Sequence, residues 1–105
     1  MKYALITGAS RGIGRAVALL LAEQYSIIIN YRSNSECAQE VKRQIEAHGG
    51  HAELLPFDVA DPGAIEASVD AWEAAHPGEF ISVLVNNAGI RRDNVMFMMS
   101  EDDWH

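Results

Sequence analysis

A glycine-rich segment lies between a short apolar run and a helical pattern near the start of the chain. Residues 7–14 read Thr-Gly-Ala-Ser-Arg-Gly-Ile-Gly, and residues 3–6 before them are apolar. Gly8, Gly12 and Gly14 let the backbone turn without a Cβ, and the following helix offers free N–H groups to an anion. The segment therefore predicts a phosphate-binding turn in a βαβ unit. Its G-x3-G-x-G spacing differs from the commoner G-x-G-x-x-G. A glycine-rich turn that binds no ligand therefore stays the alternative interpretation at this point.

Short apolar runs alternate with helical patterns along the chain. The apolar runs at 3–7, 27–31, 52–57 and 81–85 predict four strands. The stretches between them place apolar residues three or four positions apart, which predicts helices that pack on a sheet. Because this alternation is typical of parallel sheets with right-handed crossovers, we predict an α/β fold, a doubly wound Rossmann-type parallel sheet with strand order 3-2-1-4.

Two helix boundaries carry their own signals. Asp61 directly before Pro62 predicts a helix N-terminus, with the carboxylate as cap and the proline in the first helical position. His48-Gly49-Gly50 predicts that the second helix ends in a left-handed turn.

The composition narrows the class of protein. The chain has 105 residues, enough for one domain, and 49% of them are hydrophobic, as in globular proteins. A net charge of −7, with only eight Lys and Arg, argues against a nucleic-acid partner. No apolar run approaches the roughly 20 residues of a membrane span, and the single Cys37 excludes an internal disulfide. We expect a cytoplasmic protein without a membrane partner. His48 and His51 lack further ligands nearby, so no metal site is predicted.

The fourth strand lies at an edge of the predicted sheet, although residues 81–85 have the almost wholly apolar sequence of a strand buried on both faces. We therefore expect another segment to cover it. Ser100, followed by acids at 101–103, is typical of a helix N-terminus. We therefore expect residues 1–105 to be the N-terminal part of one longer Rossmann-type domain.

Three motifs follow the predicted strands in order. Thr-Gly-x-x-x-Gly-x-Gly occupies 7–14, Asp58-Val59 follows strand three, and Asn-Asn-Ala-Gly occupies 86–89. With this combination, the chain resembles the short-chain dehydrogenase/reductase family over essentially its whole length. Residues 89–94, with methionines at 98 and 99 and Asp103-Trp104, are similar to family members that reduce 3-oxoacyl groups on acyl carrier protein.

The carboxyl ends of parallel strands meet at one edge of a sheet, so residues 30–33 and the three motifs are expected to converge there. The Ser10 hydroxyl can donate to ribose or phosphate, or cap its own turn, and Ile13 would pack under the nicotinamide.

The resemblance implies that Asp58 binds the adenine amino group beside the Val59 backbone; an Asp58 that caps the turn into 60–62 is the alternative. The resemblance also implies that Asn87 and its neighbours contact the adenosine ribose, and Asn86 is expected to join strand ends.

The residues at the end of strand two indicate the cofactor. An NAD-selective site places a carboxylate there, but this chain has Asn-Tyr-Arg-Ser at 30–33. Arg32 and Arg11 can flank a 2′-phosphate to which Ser33 donates, so we predict NADP(H); the alternative is that Arg32 is a solvated surface cation. The predicted cofactor-binding residues are Gly8, Ser10, Arg11, Gly12, Ile13, Gly14, Arg32, Ser33, Asp58, Val59, Asn87, Ala88 and Gly89.

The resemblance also implies that residues 1–105 are the cofactor-binding part of the domain, with the catalytic remainder outside this chain. The family uses a Tyr-x-x-x-Lys pair with a Ser, and residues 1–105 contain no such pair, so they are predicted to be inactive alone. The implied whole is an NADPH-dependent reductase of a 3-oxoacyl thioester, with acyl carrier protein as partner, in fatty-acid synthesis, assembled as a homotetramer. The alternatives are a catalytically silent dinucleotide-binding or interaction module and a reductase of another small ketone.

Overall fold

A computed structural model describes residues 2–9, 12–33, 35–61, 63–86 and 96–99. They form one five-stranded sheet of order β3-β2-β1-β4-β5 with helices on its faces. Strands β1 to β4 pair in parallel, which confirms the predicted order 3-2-1-4. The elements are β1 (Tyr3–Ile6), α1 (Gly12–Leu21), β2 (Ser26–Tyr31), α2 (Ser35–Ala47), β3 (Ala52–Pro56), α3 (Ala64–Ala75), β4 (Ile81–Asn86) and β5 (Met96–Met99).

A strand covers β4, as its apolar sequence required. β5 pairs with β4 in antiparallel fashion, with Val83 opposite Met99 and Asn86 opposite Met96. The sequence pattern predicted the cover but not this strand. The sheet therefore has an antiparallel edge added to its parallel part.

The strands alternate their side chains between two apolar cores, one on each face of the sheet. Ile27 and Ile29 belong to the core under α1 and α2, whereas Ile28 belongs to the core under α3. All three are fully buried, because a parallel strand in the middle of a sheet has a helix layer on each side.

The boundaries of α2 and α3 agree with the sequence in one case and not in the other. Gly49 ends α2 in the left-handed region with φ +85°, as predicted. The cap predicted at Asp61 is wrong: α3 begins at Ala64 with Gly63 as its N-cap at φ +82°, and no side chain bonds to the cap. Glycine adopts this φ without steric cost, which moves the helix start past Asp61. Pro62 lies outside the described residues.

The amino ends of the strands are closed by what we call the amino-edge cluster. The Trp72 ring packs against Tyr3 at 4.6 Å and stacks on His76 at 4.0 Å between ring centroids. Its Nε1 donates to Glu53 at 3.3 Å, and the Tyr3 hydroxyl donates to Glu79 at 3.1 Å. Burial raises the pKa of Tyr3, and the Glu79 carboxylate raises it further. The cluster consists of Tyr3, His51, Glu53, Trp72, His76 and Glu79.

Among the helices that the structure describes, none combines the length and the apolar character needed to cross a membrane.

Candidate functional site

The glycine turn lies at the carboxyl edge of the sheet, where β1 ends. The Thr7 N–H donates to the Val85 carbonyl at 3.0 Å, and the Ala9 N–H donates to the Asn30 carbonyl at 3.1 Å. The turn is thus held between the ends of β4 and β2. Gly8 has φ +61°, a backbone conformation that side chains with a Cβ rarely adopt. Its place at the end of β1 is the one that the sequence predicted.

The helix that follows the turn begins with the other two glycines. Gly12 has φ +66°, and a Cβ built on it would meet nothing within 4 Å. The requirement for glycine there is therefore the backbone conformation rather than space. Gly14 is buried. Ile13 is 39% exposed, so its apolar side chain is available to a ligand at this edge. Ser10 and Arg11, also predicted here, lie outside the described residues.

Asn30 joins the ends of three strands. The sequence placed it at this edge with residues 31–33 but did not include it among the predicted cofactor-binding residues. Its Oδ1 accepts the Gly8 N–H at 3.1 Å, and its Nδ2 donates to the carbonyls of Leu55 and Phe57, each at 3.2 Å. The side chain is buried, with the residue 2% exposed. The available signal was a polar residue at the buried end of an Ile-Ile-Ile strand, where an amide has to find partners.

Arg32 and Asp58 meet across the ends of β2 and β3. The Arg32 Nε lies 3.6 Å from Asp58 Oδ2, and their side chains are 77% and 41% exposed. The other carboxylate oxygen, Oδ1, accepts the Ala60 N–H at 2.9 Å. Asp58 therefore caps the turn at Ala60, as the alternative interpretation expects, while its second oxygen faces the arginine. Its contact to the adenine amino group stays a prediction.

The remaining predicted residues fall into two groups. Ser33 is exposed beside Arg32, and Val59 is half-buried beside Asp58, so both lie at the carboxyl edge. No group of three metal-ligating side chains occurs within the described parts of the chain, and the predicted absence of a metal site at His48 and His51 stays a prediction. Three predicted ribose contacts lie outside the described residues: Asn87, Ala88 and Gly89.

A parallel sheet of this order, with a glycine turn after β1 and polar groups gathered where the order reverses, defines a Rossmann-type α/β domain. The family model for short chain dehydrogenases matches residues 2–105. The chain belongs to the short chain dehydrogenase family, as its motifs indicated.

Relatives agree with this membership. The 3-oxoacyl-(acyl-carrier-protein) reductase FabG of Staphylococcus aureus strain Mu50 is 43% identical over 104 residues, which cover 98% of this chain and 42% of that protein. The chain thus spans about two fifths of the length of this curated relative.

Solved structures show the same fold. A dehydrogenase/reductase from Sinorhizobium meliloti 1021 superposes with a TM-score of 0.73 at 40% identity, over 85% of this chain and 35% of the other. A 3-oxoacyl-(acyl-carrier-protein) reductase from Agrobacterium tumefaciens C58 with NADP bound has a TM-score of 0.71 at 36% identity, over 83% of this chain and 33% of the other.

Proposed function

We propose that the carboxyl edge of the sheet binds NADP(H) and that residues 1–105 form the cofactor-binding part of an NADPH-dependent reductase. One observation carries the proposal: the glycine turn, the end of β2 and the end of β3 are joined at this edge, with Arg32 exposed beside them. The turn offers backbone to the pyrophosphate, and the arginine offers positive charge to a 2′-phosphate. The NADP bound to the Agrobacterium relative supports this choice.

The pairing of Arg32 with Asp58 is compatible with phosphate binding. An exposed ion pair contributes about 0–1 kcal/mol, whereas a hydrogen bond to a charged group contributes about 1.5–3 kcal/mol. Arg32 therefore gains by turning from the carboxylate to a doubly charged phosphate. Asp58 stays in place during this exchange because the Ala60 N–H holds its other oxygen. NADH has no phosphate at this position and gains nothing from the exchange.

The substrate we propose is a 3-oxoacyl thioester, carried by acyl carrier protein and reduced to the 3-hydroxyacyl form in fatty-acid synthesis. The support is the name of the Staphylococcus relative and the similarity of residues 89–94 to such reductases. Residues 1–105 contain no Tyr-x-x-x-Lys pair, so we propose that the proton donor comes from outside them and that alone they bind cofactor without turnover. A cytoplasmic location and a homotetramer are part of the same proposal.

Arg32→Ala tests the cofactor assignment. We expect the ratio of NADPH to NADH affinity to fall about ten- to a hundredfold, because the charge-assisted bonds to the 2′-phosphate are lost. Dissociation constants for both cofactors, measured by fluorescence titration before and after the change, give this ratio. Arg43→Ala is the matched control, since Arg43 is an exposed cation on α2 that pairs with Glu40. An unchanged ratio in Arg32→Ala would refute the assignment.

A further inference from the structure

We infer that Asn30 is a positioning residue for the cofactor: its side-chain amide sets the distance between the glycine turn and the end of β3. The two halves of the site are thereby kept in register. This inference rests on the proposed function and adds to it a residue outside the three motifs.

The contacts of Asn30 use both ends of its amide. The oxygen accepts from Gly8, 22 positions earlier, and the nitrogen donates to Leu55 and Phe57, 25 and 27 positions later. The orientation of the amide follows from these partners, because an N–H needs an acceptor and two carbonyls need a donor. The Asn30 carbonyl also accepts the Ala9 N–H at 3.1 Å. One buried residue thus bridges the turn and the β3 end through its side chain.

An amide is the group that this position requires. A carboxylate can accept the Gly8 N–H, but its second oxygen would then face the carbonyl oxygens of Leu55 and Phe57 at about the 3.2 Å now spanned by hydrogen bonds. An alanine would leave the same three backbone groups without their side-chain partner. Neither change alters the apolar pattern of β2, so the effect is concentrated at the carboxyl edge.

Both bridged segments carry predicted cofactor contacts. Gly8 opens the turn toward the pyrophosphate, and Phe57 directly precedes Asp58, whose Oδ2 faces Arg32 at 3.6 Å. A dinucleotide has to reach the turn and Arg32 at once. Since a displacement of one segment relative to the other weakens whichever contact is formed second, the Asn30 bridge contributes to affinity without touching the cofactor.

The test compares NADPH binding by the full chain in four forms: wild type, Asn30→Ala, Asn30→Asp and Ser26→Ala. Ser26 is the matched control, because it is also 2% exposed and polar and lies at the opposite end of the same strand. Dissociation constants are measured by NADPH fluorescence at about pH 7.5 and about pH 5.5, well below the thermal midpoint of every variant. In Asn30→Asp, burial and the facing carbonyls favour the protonated carboxyl, which donates to one carbonyl at the lower pH.

We expect both Asn30 variants to bind NADPH about tenfold more weakly or worse at pH 7.5, and Ser26→Ala to bind like wild type. We also expect Asn30→Asp, relative to wild type, to regain affinity at the lower pH while Asn30→Ala does not. A loss of stability alone would not produce this difference in pH profile. Should Asn30→Asp be unfolded at pH 7.5, Asn30→Ser replaces it, and we expect binding between that of Asn30→Ala and wild type.

Two results would overturn the inference, and they are distinguishable. If wild type binds NADPH and the Asn30 variants bind within about twofold of it, the positioning role fails while the proposed function stands. If wild type itself binds no NADPH, both fail together.

Discussion

The two edges of the parallel sheet are built in opposite ways. At the amino edge, side chains contact one another: Trp72 lies between Tyr3 and His76, and its indole N–H donates to Glu53. At the carboxyl edge, the Asn30 side chain bonds to backbone groups of its neighbours. Contacts among side chains close the amino edge, whereas in the described part of the carboxyl edge the Asn30 side chain holds backbone turns in place. The kind of contact therefore distinguishes the edge that stabilises the fold from the edge that is proposed to bind a ligand.

The largest effect expected from this contrast is that of Trp72→Ala at the amino edge. Trp72 is 5% exposed and fills the core under α3, so its truncation should lower the free energy of unfolding by about 3–5 kcal/mol. Urea unfolding measures this loss. Phe80→Ala is the control, since Phe80 is 58% exposed and should change stability by about 0.5 kcal/mol or less. Unchanged NADPH affinity in folded Trp72→Ala would support the different roles of the two edges. A stability loss equal to that of Phe80→Ala would contradict them.

A pair of glycines allows the two edges to be compared with one chemical change. Gly12 begins α1 at the carboxyl edge, and Gly78 lies between α3 and β4 at the amino edge. Their φ angles are +66° and +84°, and a Cβ on either meets nothing within 4 Å. Gly12→Ala and Gly78→Ala should each cost about 1–2 kcal/mol of stability, because alanine disfavours this backbone conformation.

We expect only Gly12→Ala to weaken NADPH binding as well, since relief of its strain shifts the turn at the carboxyl edge. Thermal unfolding and NADPH titration of both variants provide the measurement. Equal effects on NADPH affinity would contradict the division of roles between the edges.

The smallest effect concerns the pH dependence of the amino edge. Because burial and Glu79 raise the pKa of Tyr3 above its ordinary 10.0, the protonated phenol is favoured in the folded state. The hydrogen bond from the protonated Tyr3 hydroxyl to Glu79 contributes about 1 kcal/mol to the free energy of unfolding. This contribution is fully present below about pH 10 and is lost as the pH rises through the raised pKa. The difference in unfolding free energy between wild type and Tyr3→Phe should therefore narrow from about pH 8 to about pH 11, as urea titrations can show. A constant difference would contradict the prediction, because it would mean that the pKa of Tyr3 is the same in the folded and the unfolded chain.

Much of the fold was predictable, because burial on both faces leaves continuous apolar runs such as 27–29 and 81–85 in the sequence. The strand order was predictable from the alternation of strands with helices and from the right-handed crossovers between parallel strands. The start of α3 was mispredicted, because Asp61-Pro62 satisfies the usual cap pattern while Gly63, a residue further on, adopts the conformation that sets the helix start. Strand β5 was missed because four residues that read as a methionine cluster carry no strand periodicity.

The candidate site was predicted as a set of positions but not as a set of contacts. The glycine turn was predictable from the sequence, because a φ near +60° is a local property that most residue types disfavour. The structure pairs the Arg32 and Asp58 side chains, a contact that the sequence did not predict, and the ligand contacts assigned to each of them stay predictions. The Asn30 bridge depends on the register that sets Asn30 opposite Leu55, and no local pattern encodes it.

The class of fold, the order of the parallel strands and the place of the glycine turn follow from the amino-acid sequence, since each depends on local conformation or on burial repeated along the chain. Which polar groups meet depends on tertiary packing: Asn30 meets Gly8 and Phe57, Arg32 meets Asp58, and Trp72 meets Glu53. Hydrogen bonds and exposed ion pairs act over a short range, so they form only between groups that strand register and helix packing bring within a few ångströms.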